Sequence, residues 1–211
     1  MVKKTLFLLF LIILCINNSI YSSSIPNYST FLKYKKYFKL QINKYWSNLF
    51  PKEILPAQIE QESNWNEYAE RKAGKEYGFG LSQVTIVKGY FNNFLEFKKR
   101  WKKELKNWTW ENRFNAKCHI KILILYDKLL YNKMKFAKIN FDRLAFTLSA
   151  YNGGLGWVLK DRKLTKENGY NENRWFNNVE KFSKRNKWAF KINRKYVKNI
   201  FKKTIKYIGK F

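Results

Sequence analysis

Acidic residues are scarce in this chain. Fifteen Asp and Glu stand against 43 Lys and Arg, which leaves a formal net charge of +28 over 211 residues. Such a surface is attracted to polyanions: nucleic acid, anionic membrane or an acidic cell wall. The sequence is equally rich in Lys, Asn, Ile, Phe and Tyr, a bias that AT-rich coding produces by itself, so charge does not select the partner. Histidine occurs once, as His119, and cysteine twice, as Cys15 and Cys118. No group of His, Cys and acidic residues has metal-ligand spacing, so neither a metal nor an organic cofactor is expected. With Cys15 in an apolar leader, one thiol remains and no intrachain disulfide forms. Proline occurs only at positions 26, 51 and 56, and no internal repeat or low-complexity domain interrupts the chain. No nucleic-acid-binding motif is present either, so no specific nucleic-acid partner is expected.

The one long apolar run is Leu6 to Ile16, preceded by Lys3 and Lys4. It is shorter than the roughly 18 residues a membrane-spanning helix needs. The polar stretch that follows ends in Ser22, Ser23 and Ser24. This is the pattern of a secretory signal peptide over residues 1–24, with an uncleaved anchor as the alternative. Leu14 precedes Cys15, which argues against a lipoprotein signal. The organisation expected is therefore a signal peptide (1–24), a basic aromatic lead-in (25–45) and one domain from 46 to 211. Hydrophobic residues at 45% and aromatics at 19% suffice for a compact core.

Helical periodicity dominates that domain. A helix is predicted from Leu55 to about Trp65, with Pro56 in its first turn. The segment Ala116–Tyr131 is apolar on nearly every face and reads as a central buried helix. Asp142 is a candidate cap for a helix Arg143–Tyr151 that Asn152-Gly153-Gly154 ends. A last helix is expected over Asn193–Ile208, with Tyr196, Val197, Ile200, Phe201, Ile205 and Ile208 on its apolar face. Gly-rich loops lie at 74–80 and 153–156, and a small irregular or β element is expected near 74–86. The fold class is mainly α.

Two carboxylates share the first helix. At about 100° per residue, Glu62 falls within roughly 20° of Leu55 around the axis and one turn beyond Ile59. Glu62 thus lies on the apolar face, whereas Glu60 is expected to be solvated. A carboxyl against apolar groups keeps its proton toward neutral pH, as an acid that protonates a glycosidic oxygen must. Ser63 follows, with a hydroxyl able to bond the carboxylate or a sugar.

Four motifs extend this picture. Gln61-Glu62-Ser63-Asn64-Trp65-Asn66 followed by Ala69 resembles the Glu-Ser-x-aromatic-Asn-x-x-Ala motif of the soluble lytic transglycosylases. Gly80-Leu81-Ser82-Gln83 resembles that family's Gly-Leu-Met-Gln, and Ala150-Tyr151-Asn152-Gly153-Gly154 its Ala-Tyr-Asn segment. Arg194-Lys195-Tyr196-Val197 resembles its closing Tyr-Val segment. The four occur in family order over about 150 residues. The resemblance implies a lysozyme-like fold and cleavage of peptidoglycan glycan strands between N-acetylmuramic acid and N-acetylglucosamine by a monomer acting in the periplasm or outside the cell. It makes Glu62 the single acid/base, with Tyr151 orienting it. It implies substrate contacts for Gln83 and Asn152, and supporting or groove roles for Ser63 and Tyr196. Ser82 departs from the family's Met, so the apolar wall that Met forms is either lost or supplied by Phe79 or Trp65. Glu62 and Gln83 are also about three residues further apart than the family spacing, and the additional loop carries Glu76.

A family member of this kind closes a 1,6-anhydro ring with the muramyl 6-hydroxyl. A hydrolase of the goose-type lysozyme kind would need a second carboxylate for water, and Glu76 is the candidate. A membrane-surface role for the basic last helix and a wall-binding protein without chemistry are the readings from other classes. Cys118-His119 does not form a thiol–base pair, because neighbours on a helix point in different directions.

Overall fold

The computed structural model describes residues 25–211, so the signal peptide expected at 1–24 lies outside the described residues. Seven α-helices and a small antiparallel sheet make up the described chain: α1 (Tyr28–Trp46), α2 (Ile54–Ser63), β1 (Glu70–Ala73), β2 (Glu76–Phe79), β3 (Val84–Val87), β4 (Phe91–Asn92), α3 (Asn93–Arg100), α4 (Ala116–Lys133), α5 (Asn140–Gly153), α6 (Leu155–Glu167) and α7 (Lys187–Thr204). The mainly helical class expected from the periodicity is observed.

Helix α1 corrects the expected domain boundary. The lead-in at 25–45 is not a tether but a helix whose Phe31, Tyr34, Phe38, Ile42 and Trp46 are buried. The spacing is helical, yet the stripe is camouflaged by lysines and by tyrosines on the other faces. Phe31 and Phe38 both make edge-to-face contacts with the fully buried Trp65. The domain therefore begins with α1.

Two apolar clusters hold the fold. The larger joins α1, α2, α4, α5 and α7. The smaller, largely aromatic, is built from Phe79, Val84, Phe94, Phe97, Leu105 and Trp108 against Cys118 and Ile122 of α4. Helix α4 contributes to both, which is why nearly every face of it is apolar. The sheet runs in the order β1-β2-β3-β4, with Glu70 opposite Phe79 and Phe79 opposite Val84. It occupies 70–92, beginning earlier and ending later than the β element expected at 74–86.

Several helix ends differ from expectation for identifiable reasons. Helix α2 stops at Ser63, because Asn64 and Trp65 both take positive φ (51° and 61°). That conformation costs a non-glycine residue roughly 1–2 kcal/mol. At Trp65 the burial of the indole, whose N–H donates to Tyr207 Oη at 2.8 Å, offsets it. Helix α5 begins at Asn140, so Asp142 lies inside its first turn and does not cap it. The Asp142 carboxylate instead accepts from the backbone N–H groups of Trp175 and Phe176 and from Arg174. Gly154, with φ 88°, ends α5 and starts α6 at once, a helix that the sequence pattern did not reveal. Helix α7 starts six residues earlier than expected and gives way to a short 3-10 turn over Ile205–Tyr207. Ile205 and Ile208 are consequently exposed rather than part of the buried stripe.

Candidate active site

Glu62 occupies the last turn of α2, half-buried, and Tyr196 of α7 donates its hydroxyl to Glu62 Oε1. Burial raises the Glu62 carboxyl to about 7; the Tyr196 hydrogen bond and the charges of Arg71 and Lys203 oppose the rise without cancelling it. Glu62 is thus largely protonated below neutral pH and titrates near neutrality, which suits a group that must first give a proton and then take one.

Glu60, two residues earlier, is not solvated as its helical position suggested. It is 1% exposed, and its carboxylate accepts from Lys206 Nζ at 2.8 Å and Tyr207 Oη at 2.9 Å, with Lys203 Nζ 3.6 Å away. The side of α2 opposite its core face is covered by the end of α7 and the 3-10 turn, which an isolated helical wheel cannot show. Glu60 is therefore fully partnered by the end of α7 and the 3-10 turn.

Tyr151 does not orient Glu62 directly. Its hydroxyl donates to the Ser82 carbonyl at 2.8 Å, and its ring lies 5.5 Å from that of Tyr126. Burial, with the charge of Glu62 next in weight, pushes the Tyr151 hydroxyl well above its usual range, so it is near Glu62 but bonded elsewhere. The direct role expected of Tyr151 falls to Tyr196. Burial and then Glu62 likewise push Tyr196 well up, so it remains a donor.

Ser82 is fully buried, and its hydroxyl pairs with His119 Nδ1 at 2.8 Å. His119 Nε2 is 2.8 Å from the Arg113 carbonyl, which can only accept, so Nε2 carries the proton and Nδ1 accepts from Ser82. Burial lowers the imidazole to about 4 and keeps it neutral. Where the family pattern has Met, this chain has a hydrogen-bonded anchor joining the 80–83 loop to α4. The apolar wall is not supplied by Phe79 or Trp65, since both are fully buried in the clusters described above. No sequence signal linked Ser82 to His119, because they are 37 positions apart.

Gly80 makes this anchor feasible. Its φ is 69°, and a Cβ there would lie 2.0 Å from His119 Nε2. Gly80→Ala is expected to displace the imidazole, break the Ser82–His119 bond and lower stability by about 3 kcal/mol or more. Urea unfolding checks this, and a loss below about 1 kcal/mol would contradict it.

Gln83, also at positive φ (45°), turns its amide inward. Its Nε2 donates to the carbonyls of Ala69 at 3.2 Å and Gly80 at 3.1 Å. It clamps the base of the β1–β2 hairpin, and in this arrangement its amide N–H groups are already used. Ser63 is similarly occupied: its hydroxyl donates to the Ile59 carbonyl at 3.2 Å, one turn back along α2, and not to Glu62. Asn152, exposed at the end of α5, is held from behind. Asn193 Nδ2 donates to its Oδ1 at 3.0 Å and to the Ser149 carbonyl, while Ser149 donates to Asn193 Oδ1.

Glu76 lies at the turn end of the β1–β2 hairpin, opposite Ala73, and is ion-paired with Arg71. Arg71 also acts on Glu62 through its charge, so the two acids share a cation. Sequence reasoning missed Asp127, a carboxyl in the middle of α4 that is 1% exposed. It had no detectable signal beyond being an acid in an otherwise apolar helix. Two open hollows on the surface, both lined by Lys33, Tyr34 and Lys117, contain none of these residues.

The site therefore consists of one carboxyl poised near neutrality and a hydroxyl fixed on it, with the Asn193-held Asn152 exposed at the end of α5. No family model matches this chain, and no curated protein matches it.

Proposed function

We propose that the protein is a lytic transglycosylase of lysozyme-like fold that cleaves peptidoglycan glycan strands, with Glu62 as acid and then base. The observation that carries the reading is the state of Glu62: half-buried, raised to about 7 by burial, and held by Tyr196. Protonated Glu62 delivers its proton to the glycosidic oxygen leaving N-acetylmuramic acid. The resulting carboxylate, stabilised by the Tyr196 hydroxyl, takes the proton of the muramyl 6-hydroxyl as that oxygen closes on the anomeric carbon. One proton leaves Glu62 and one returns, and no water is consumed. Attack from within the same sugar needs no second carboxylate to activate a nucleophile, and closing a ring is entropically favoured.

The state of the other acids supports this chemistry over hydrolysis. An inverting hydrolase needs a second carboxylate roughly 6.5–9.5 Å from the acid to activate water. Glu76 is paired with Arg71, and Glu60 with Lys206 and Tyr207. Asn152, exposed and with its Oδ1 already held by Asn193, has an amide suited to donating to an N-acetyl carbonyl. The substrate's acidic wall suits the cationic chain, and the leader-like residues 1–24 suit export to the periplasm or cell envelope.

Mass spectrometry of fragments released from purified peptidoglycan tests the reading. Anhydromuramyl ends from the mature protein and none from Glu62→Gln are expected. Reducing muramyl ends would instead identify a goose-type muramidase. The cation shared by Glu62 and Glu76 would then make Glu76 the next residue to replace. Release by neither protein, with binding to the wall retained, would leave a cationic wall-binding protein.

A further inference from the structure

Asp127 is a carboxyl enclosed by the fold with almost nothing to pair with. It is 1% exposed, and among the described residues no Lys, Arg or His forms an ion pair with it. Its side-chain partner is Gln58 of α2, whose Nε2 donates to Asp127 Oδ1 over a long 3.5 Å. The groups whose charge bears on it are also unhelpful to an anion. Glu62 of α2 repels it, and the neighbouring hydroxyls of Tyr126, Tyr151 and Tyr196 belong to the same buried set. A buried, uncompensated carboxylate is strongly disfavoured, and such a group takes up a proton instead.

The neighbouring amide shows where that proton goes. Gln58 is fully buried, and its carbonyl oxygen Oε1 has no hydrogen-bond donor. An ionised Asp127 leaves that oxygen unsatisfied. A protonated Asp127 supplies the missing donor, while the Gln58 amide donates back to the other carboxyl oxygen. The two defects resolve each other in a planar acid–amide ring.

We propose that Asp127 is a positioning residue of the Glu62 site: a carboxyl that stays protonated and closes a two-hydrogen-bond ring with Gln58, fixing α4 to α2 one helical turn below Glu62 without placing a second negative charge beside it. Burial moves the Asp127 carboxyl in the same direction, well above its usual range. An ordinary buried ion pair at this position would hold the two helices equally well. It would also add a charge that shifts the titration of Glu62. A neutral ring leaves Glu62 the one carboxyl of the pair that changes charge near neutral pH. The assignment of a working role to Glu62 rests on the function proposed above; the protonation of Asp127 does not.

The test uses the mature protein carrying Glu62→Gln, so that among the described residues Asp127 is the one buried carboxyl without a cationic partner. Infrared difference spectroscopy at pH 8 is expected to show the C=O stretch of one protonated carboxyl, lost when Asp127→Asn is added. The second measurement is the apparent pKa of Glu62, followed by carboxyl-carbon NMR in the wild type and in Asp127→Asn. Asparagine keeps a neutral ring, so the dissociation constant of Glu62 is expected to change by less than about twofold. Wall cleavage by Asp127→Asn should stay within about threefold of wild type, whereas Asp127→Ala, which cannot form the ring, should fall about tenfold. Absence of the protonated band at pH 8, or a Glu62 pKa about one unit lower in Asp127→Asn, would overturn the proposal. Should Asp127→Asn fail to fold, the band in Glu62→Gln alone decides. If the band and the unmoved pKa are found but no wall is cleaved by the wild type, the acid–amide ring stands and the proposed function fails.

Discussion

Glu62→Gln is expected to abolish glycan cleavage and, at the same time, to make the protein more stable at pH 8. Loss of a positioned acid/base costs about 10²–10⁴-fold in rate. The stability change follows from the raised carboxyl. A group with a folded pKa of about 7 and an ordinary value of 4.5 binds its proton more tightly in the folded state. Its contribution is fully present below pH 4.5 and is lost as pH rises through 7. Above pH 7 the folded wild type holds a half-buried charge that glutamine does not carry, while the substituted amide still accepts from Tyr196. A shift of this size corresponds to about 3 kcal/mol. Melting curves of the two proteins should coincide at pH 4.5, diverge through pH 7 and stay apart above it. Equal melting temperatures at pH 8 would mean that Glu62 is an ordinary solvated acid. His119 acts with the opposite sign. Its folded value of about 4 lies below the ordinary 6.5, so its contribution is present above pH 6.5 and lost as pH falls toward 4. Between pH 4.5 and 6.5 the two slopes oppose each other in the wild type, and Glu62→Gln should unmask the rise due to His119. A residue that destabilises the fold in the pH range where it is charged is what a functional acid looks like thermodynamically.

Asp161→Asn carries the second large effect. Asp161 is 1% exposed on α6 and accepts from Ser183 Oγ at 2.6 Å and Arg194 Nη2 at 3.0 Å, with Arg185 Nη2 at 3.6 Å. Arg194 also donates to the carbonyls of Val179, Glu180 and Phe182 and to Asn193 Oδ1. Removing one partner of a buried charge network leaves the others uncompensated and costs about 3–5 kcal/mol. For a domain of this size that lowers the melting temperature by roughly 10 °C. Because Arg194 holds Asn193, and Asn193 holds Asn152, the substitution should also weaken substrate binding at the α5 end. Arg185→Met is the control. None of the three Arg185 guanidinium nitrogens makes a hydrogen bond, so an apolar replacement of similar length should cost less than about 1 kcal/mol. If Arg185→Met proved as damaging as Asp161→Asn, the network would be centred on Arg185 instead.

These two sites differ in how far the sequence announced them. Glu62 was singled out in the sequence because helical periodicity placed it on the Leu55–Ile59 face and the motif around it reinforced that placement, yet the structure leaves Glu62 half-buried and buries Glu60 more deeply. Asp161 was not, because its partners on α7 and the preceding loop lie 22 to 33 positions away. Glu60 shows the same limit within one helix. Periodicity describes one helix against one core, and cannot register Lys206 and Tyr207 arriving 146 and 147 positions later.

Spacing along the chain was enough to settle the helical class, the buried central helix α4 and the β element after α2. Covalent geometry sets the period in each of these cases, so the pattern can be read before any helix has docked. Packing settled which groups touch: Tyr196 rather than Tyr151 on Glu62, Ser82 on His119, Gln83 within the hairpin base and Asp127 against Gln58. Hydrogen bonds are short and directional, so a partner is chosen by packing distances of a few ångströms. The linear pattern of residues does not encode those distances until the helices have docked.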